Sequence, residues 1–148
     1  MTTEEENIKI SSKTIVDKIW IQKSPEVVFK ALAEGDQLSK WWPDAEAITI
    51  PKKGGRVFLK WSNGGALESS FLTFIEHKEL SYKFYGGDII KFTVTPSEQD
   101  SIVTVEHSLT NAKIDTIAEV ARHWGYLLVA LKCWVEKQWD IRRNSKYE

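Results

Sequence analysis

Residues 116–140 read TIAEVARHWGYLLVALKCWVEKQWD, and this stretch decides the fold. Ile117, Ala121, Trp124, Leu128, Leu131 and Val135 recur at spacings of three and four, and Val120, Leu127 and Trp134 widen the stripe. That period belongs to an amphipathic helix with one face buried. Thr116 followed three residues later by Glu119 has the form of a capping box. The pattern predicts a helix to about residue 140, roughly 35–40 Å long at about 1.5 Å per residue. Arg142 and Arg143 follow where the negative end of the helix favours cations. Gly125 inside it costs about 1 kcal/mol against alanine, which predicts close packing or a bend there.

Upstream, the period changes to two. Residues 13–22 (KTIVDKIWIQ) alternate and are β-branched, so they read as a strand with Ile15, Ile19 and Ile21 facing inward. Residues 1–10 are expected to be a flexible tail, leaving 11–148 as one domain. Ser24 and Pro25 form a helix start, Val27, Val28, Phe29, Ala31 and Leu32 give its apolar stripe, and Gly35 is the expected stop. Asp36 would cap a second helix, Gln37 to Trp41, ended by Pro43. Gly54-Gly55, Asn63-Gly64-Gly65 and Gly86-Gly87 then punctuate candidate strands at 45–50, 56–62, 67–76, 80–86, 88–95 and 101–109. With the first strand these make seven. No helical period separates them, so the class is α+β with a mainly antiparallel meander. Only the terminal helix is long enough to cover its apolar face, and a twisted sheet bent around that helix leaves a wedge between them.

Strand parity selects the residues that would line the wedge. Val57, Leu59 and Trp61 face inward, as do Phe71 with Ser69 and Thr73, then Tyr82 and Phe84, Phe92 and Val94, and Val103, Val105 and His107. Trp124, Leu128 and Leu131 come down from the helix; that Trp41 and Trp42 close one end is what the family resemblance set out below implies. Aromatics at regular spacing pack as core by default. Polar residues on the same faces, namely Ser69, Thr73, Tyr82 and His107, point instead to a pocket with a few anchors. The candidate ligand residues are therefore Trp41, Trp61, Phe71, Tyr82, Phe84, Phe92, His107, Trp124 and Leu128.

The ordered set of features resembles a known family. Ile21 with Ser24-Pro25-Glu26-Val27-Val28-Phe29, the Leu38–Trp42 segment with Pro43, the Gly54-Gly55-Arg56 turn, Thr104-Val105-Glu106-His107-Ser108 and the terminal helix are together similar to the SRPBCC (START and birch-pollen-allergen-like) superfamily. Within it, the chain resembles the Activator of heat-shock-protein-90 ATPase homologue-like family. The order His123-Trp124-Gly125 departs from the usual family order of His before Gly-Trp. The resemblance implies a helix-grip fold with two short helices after the first strand. It also implies binding of a small hydrophobic or aromatic molecule, without catalysis. The alternatives it carries are a stress-response, co-chaperone-like module that stimulates a chaperone ATPase, and a small cyclase- or hydrolase-like enzyme. Chaperone-stimulating members also carry a separate N-terminal domain, which this chain is expected to lack.

Composition narrows the partners. A formal net charge of −1, with dispersed Lys and Arg, gives no stripe for nucleic acid and no field toward anionic lipid. No apolar run reaches membrane-spanning length. The single cysteine, Cys133, fits a reducing, cytoplasmic location and lies in an apolar stretch that favours an inert thiol. His77, His107 and His123 lack metal-ligand spacing, no cofactor motif is present, and no nucleophile elbow occurs. Asp17, on the inward parity, and His107 are the groups an enzyme would use. Exposed Trp20, Trp139 and Tyr147 are the aromatics that a homodimer would bury.

Overall fold

A computed structural model describes residues 8–42 and 45–142. The strands are β1 (Lys9–Ile21), β2 (Ala45–Thr49), β3 (Arg56–Trp61), β4 (Ala66–Ile75), β5 (Glu79–Lys83), β6 (Ile89–Ser97) and β7 (Asp100–Lys113). The helices are α1 (Pro25–Ala33), α2 (Gly35–Leu38) and α3 (Ile114–Lys137). All seven strands join one curved antiparallel sheet in the order β1-β7-β6-β5-β4-β3-β2. Six consecutive strands thus form a meander, and β1 closes its far side by pairing with β7. The α+β helix-grip architecture is as expected, with α3 lying against the inner face.

The inner face follows the alternation closely. Ile15, Ile21, Val57, Leu59, Phe71, Tyr82, Phe92, Val94, Val103 and Val105 are buried, and Trp124, Leu128 and Leu131 meet them from α3. On the opposite face Lys91 sits between Glu79 and Glu106 at 3.5 and 3.8 Å. β1 begins four residues before the expected start because Lys9–Ser12 pair with Thr110–Lys113 of a correspondingly longer β7. The expected tail therefore contributes Lys9 and Ile10 to the sheet; residues 1–7 lie outside the described residues.

Several local expectations are corrected. Parity fails in β4, where a register shift between Phe71 and Thr73 pairs Phe71 with Tyr82 but Thr73 with Ser81. The extra residue reverses the faces beyond it. Phe74, not Thr73, packs on the core, and Thr73 joins Ser81 through hydroxyls 2.7 Å apart. Gly35 does not end α1 in a left-handed turn; it opens α2, with Glu34 rather than Asp36 as the N-cap. Glycine is required there by space, since a Cβ would lie 2.6 Å from the Ala47 carbonyl oxygen of β2. α2 ends at Leu38, before the expected Trp41, and Pro43 lies outside the described residues.

On α3 the capping box does not form. The helix starts at Ile114 with Lys113 as N-cap and no capping side chain, and Glu119 bonds Arg122 instead. Gly125 is exposed, with open space where a Cβ would stand, so neither close packing nor a neighbour explains it. The helix ends at Lys137, where Gln138 takes a left-handed conformation and turns the chain back. Among the described residues no helix is long and apolar enough to cross a membrane.

Candidate functional site

The strands, α3 and the segment after α2 bring the nine candidate residues to the same interior, their rings arranged as two clusters and a rim. Trp41 and Trp42 follow α2 and are almost wholly buried. Trp42 meets Trp124 at 5.7 Å between ring centroids, Trp41 at 5.5 Å and Phe84 at 6.3 Å. Phe92 touches Trp41 and Trp124, and His107 touches Phe84 and Trp124, all edge to face. The second cluster joins Phe71 and Tyr82 to Phe29 and Phe74. Trp61, half-buried, forms a rim with Phe84 and Tyr85, and Leu128 is buried. The geometry is the offset and T-shaped packing that aromatic quadrupoles favour. These walls touch one another.

Three members of the first cluster, Trp41, Trp124 and His107, are also hydrogen-bonded. The Trp41 indole N–H donates to the Ala31 carbonyl at 2.8 Å. The Trp124 indole N–H donates to His107 Nδ1 at 3.0 Å. Indole can only donate, so Nδ1 must carry a lone pair, and the proton of the neutral imidazole lies on Nε2. From there it reaches Asp88 Oδ2 at 2.9 Å, while Asp88 Oδ1 accepts from the Thr110 N–H at 3.3 Å. Both His107 nitrogens are thus committed, and neither is free to act as a base. The Asp17 carboxylate accepts the Lys18 N–H at 2.8 Å and is half-buried.

The four expected polar anchors therefore separate. Ser69 donates to the Lys83 carbonyl at 2.8 Å, Thr73 points to the other face, and His107 is committed. Tyr82 alone holds a buried side-chain oxygen with no hydrogen-bond partner among the described residues. Burial pushes its phenol well above the ordinary value near 10, so the group stays protonated and able to donate. A solvent-open groove of about 360 Å³ lies elsewhere, between the α1–α2 junction and β2, lined by Glu34, Gly35, Asp36, Ala47, Ile48, Thr49 and Pro51. None of the candidate ligand residues lines it. No cluster of three or more His, Cys, Asp or Glu with metal-binding geometry occurs among the described residues.

Some participants were not singled out from sequence. Asp88 follows a glycine pair and reads as a turn residue, and nothing in its neighbourhood marks it as the partner of His107. Phe29 and Phe74 join the second cluster, the latter only because of the β4 bulge. Arg142 was expected to face the α3 terminus. Instead, Asp140 holds its guanidinium at 2.7–2.8 Å, and it donates to the carbonyls of Trp42 and Ser39.

A model of the family described as Activator of Hsp90 ATPase homolog 1-like protein matches residues 22–136. The chain belongs to that family. Its fold is shared with solved structures that include the Aha1 dimer from Colwellia psychrerythraea, 26% identical, with TM-score 0.72 over 84% of this chain and 97% of that one. Protein SSP2350 from Staphylococcus saprophyticus is 18% identical, with TM-score 0.78 over 88% and 96%. The conserved protein of unknown function EF2215 from Enterococcus faecalis is 20% identical, with TM-score 0.75 over 86% and 74%. A comparison with curated proteins finds no match.

Proposed function

We propose that this family member binds a small, neutral, mainly apolar molecule between the sheet and α3, held by a hydrogen bond from Tyr82. The observation that carries the reading is the unpartnered, buried Tyr82 hydroxyl. Leaving such a donor unmade costs about 1–3 kcal/mol, which a carbonyl or ether oxygen on a ligand would recover. The surroundings, Phe71 and the buried aliphatics of the inner face, suit an apolar body. An anionic ligand is disfavoured, because burying a charge among these apolar side chains is costly without a paired cation.

The test is titration with prodan, a neutral naphthalene ketone, alongside a panel of apolar ketones, followed by tryptophan fluorescence and thermal shift. Saturable binding that weakens about tenfold in Tyr82→Phe supports the reading, a loss within the range for one buried hydrogen bond. Silence across the panel, together with an ordered water on Tyr82 in a crystal structure, would end it.

The family match favours a second reading, a co-chaperone-like module acting on a chaperone ATPase. A stimulated ATPase rate on addition of the chain would support it. A homodimer is a related proposal, supported by the dimeric Colwellia relative and by Val16 and Trp20, which are 60% and 48% exposed on β1. Sedimentation across a concentration series tests that separately.

A further inference from the structure

The interior described above is shut, so a ligand needs a way in, and the way in should be where buried rings are held by few, breakable bonds. Trp42 is that place. It lies outside any helix or strand, between α2 and β2, yet the residue is only 3% exposed and its ring touches Trp41, Phe84 and Trp124. Its neighbour Trp41 is tied to α1 through the Ala31 carbonyl. The Trp42 backbone carbonyl is held from the far end of the chain, by Arg142.

That hold is built as a clasp. After Gln138 turns the chain back, Asp140 grips Arg142 through both carboxylate oxygens, at 2.8 Å to Nε and 2.7 Å to Nη2, and through the Arg142 N–H at 3.0 Å. The planar fork is thereby fixed, and its remaining donors reach the carbonyls of Ser39 and Trp42. Both charged side chains are nearly nine-tenths buried, so the pair is little screened. Trp134 adds a lighter tie, its indole N–H lying 3.2 Å from Gln37 Oε1 of α2.

We propose that Arg142, braced by Asp140, is a latch that keeps Trp42 seated in the aromatic interior, and that its release opens the space between the sheet and α3. As a gate for ligand the latch rests on the binding reading above, but its opening is measurable without any ligand. The experiment compares the full chain with Arg142→Ala and Arg142→Lys, the latter keeping the charge and losing the fork.

Hydrogen exchange read by mass spectrometry is expected to rise about tenfold in the segment 37–42 of Arg142→Ala, with the β6–β7 core unchanged, as local opening requires. Arg142→Lys should fall between the two. Acrylamide quenching of tryptophan fluorescence should rise in parallel. Stopped-flow mixing with prodan should show association and dissociation both faster by about tenfold and Kd moved less than about threefold, because a gate speeds both directions alike. Local exchange that rises while prodan binds neither protein keeps the latch and removes the ligand reading. Unchanged exchange at 37–42, or a uniform rise over the whole chain, overturns the latch even if prodan binds.

Discussion

Around Trp124 the interior rings are joined by hydrogen bonds as well as by packing: Trp41 to Ala31, Trp124 to His107, His107 to Asp88. Around Tyr82 the rings are Phe29, Phe71 and Phe74, which offer no polar atom, and the Tyr82 hydroxyl has no partner among the described residues. The two clusters share one sheet and comparable burial. They differ in whether the polar groups placed inside are satisfied. The first has the character of a structural core, in which each donor specifies one arrangement. The second holds a buried donor that no acceptor among the described residues meets.

The difference predicts opposite responses to truncation. Trp124→Ala should cost about 3–5 kcal/mol, since it removes a fully buried ring and strands His107 Nδ1. Urea denaturation measures this directly, and a loss below about 1 kcal/mol would show that the first cluster is loosely packed after all. Next in size is His107→Leu. It conserves apolar volume but leaves the Trp124 N–H without an acceptor and Asp88 with only the Thr110 amide. A destabilisation of about 2 kcal/mol is expected, visible as a lowered urea midpoint with unchanged slope. A neutral outcome would mean that these bonds are no better than those they replace in water.

Which of this was legible follows from period. The alternation of Val57, Leu59, Phe92, Val94, Val103 and Val105 and the spacing of Trp124, Leu128 and Leu131 are local signals, and they located the sheet, the helix and the buried faces. Features that depend on two distant segments meeting carry no such signal. The bulge that exchanges Thr73 for Phe74 exists only relative to β5. Gly35 reads as a stop until β2 is seen to press against it. Asp88 and Arg142 act on residues 19 and 100 positions away. For the site, sequence found the residues that share the interior, because apolar burial is periodic. It could not separate the satisfied His107 from the unsatisfied Tyr82, because satisfaction depends on partners from other elements.

At alkaline pH the second cluster makes its own prediction. The folded state holds the Tyr82 phenol above its ordinary value near 10 by burial. The stabilisation this brings is complete below pH 10 and declines as pH rises through the interval between the unfolded and folded values. By pH 11 the protein should have lost about 1 kcal/mol relative to Tyr82→Phe, since one proton is released on unfolding and each pH unit is worth roughly 1.4 kcal/mol. Parallel pH profiles of the two proteins would show that Tyr82 titrates alike folded and unfolded, and is therefore not enclosed.

The smallest effect is the most discriminating. At neutral pH, replacing a buried tyrosine by phenylalanine ordinarily costs about 1 kcal/mol, because a hydrogen bond is lost and its partner stranded. Here no partner is stranded. Tyr82→Phe should leave stability unchanged or raise it by up to about 1 kcal/mol, by removing a desolvated hydroxyl that gains nothing in return. The same substitution should weaken prodan binding, so stability and affinity move in opposite directions, as they do when a binding group is kept at a cost to the empty fold. A variant that melts earlier than the parent by the ordinary amount would mean that the hydroxyl already has a partner, such as a buried water. The contrast between the two clusters would then vanish, since both would be satisfied cores.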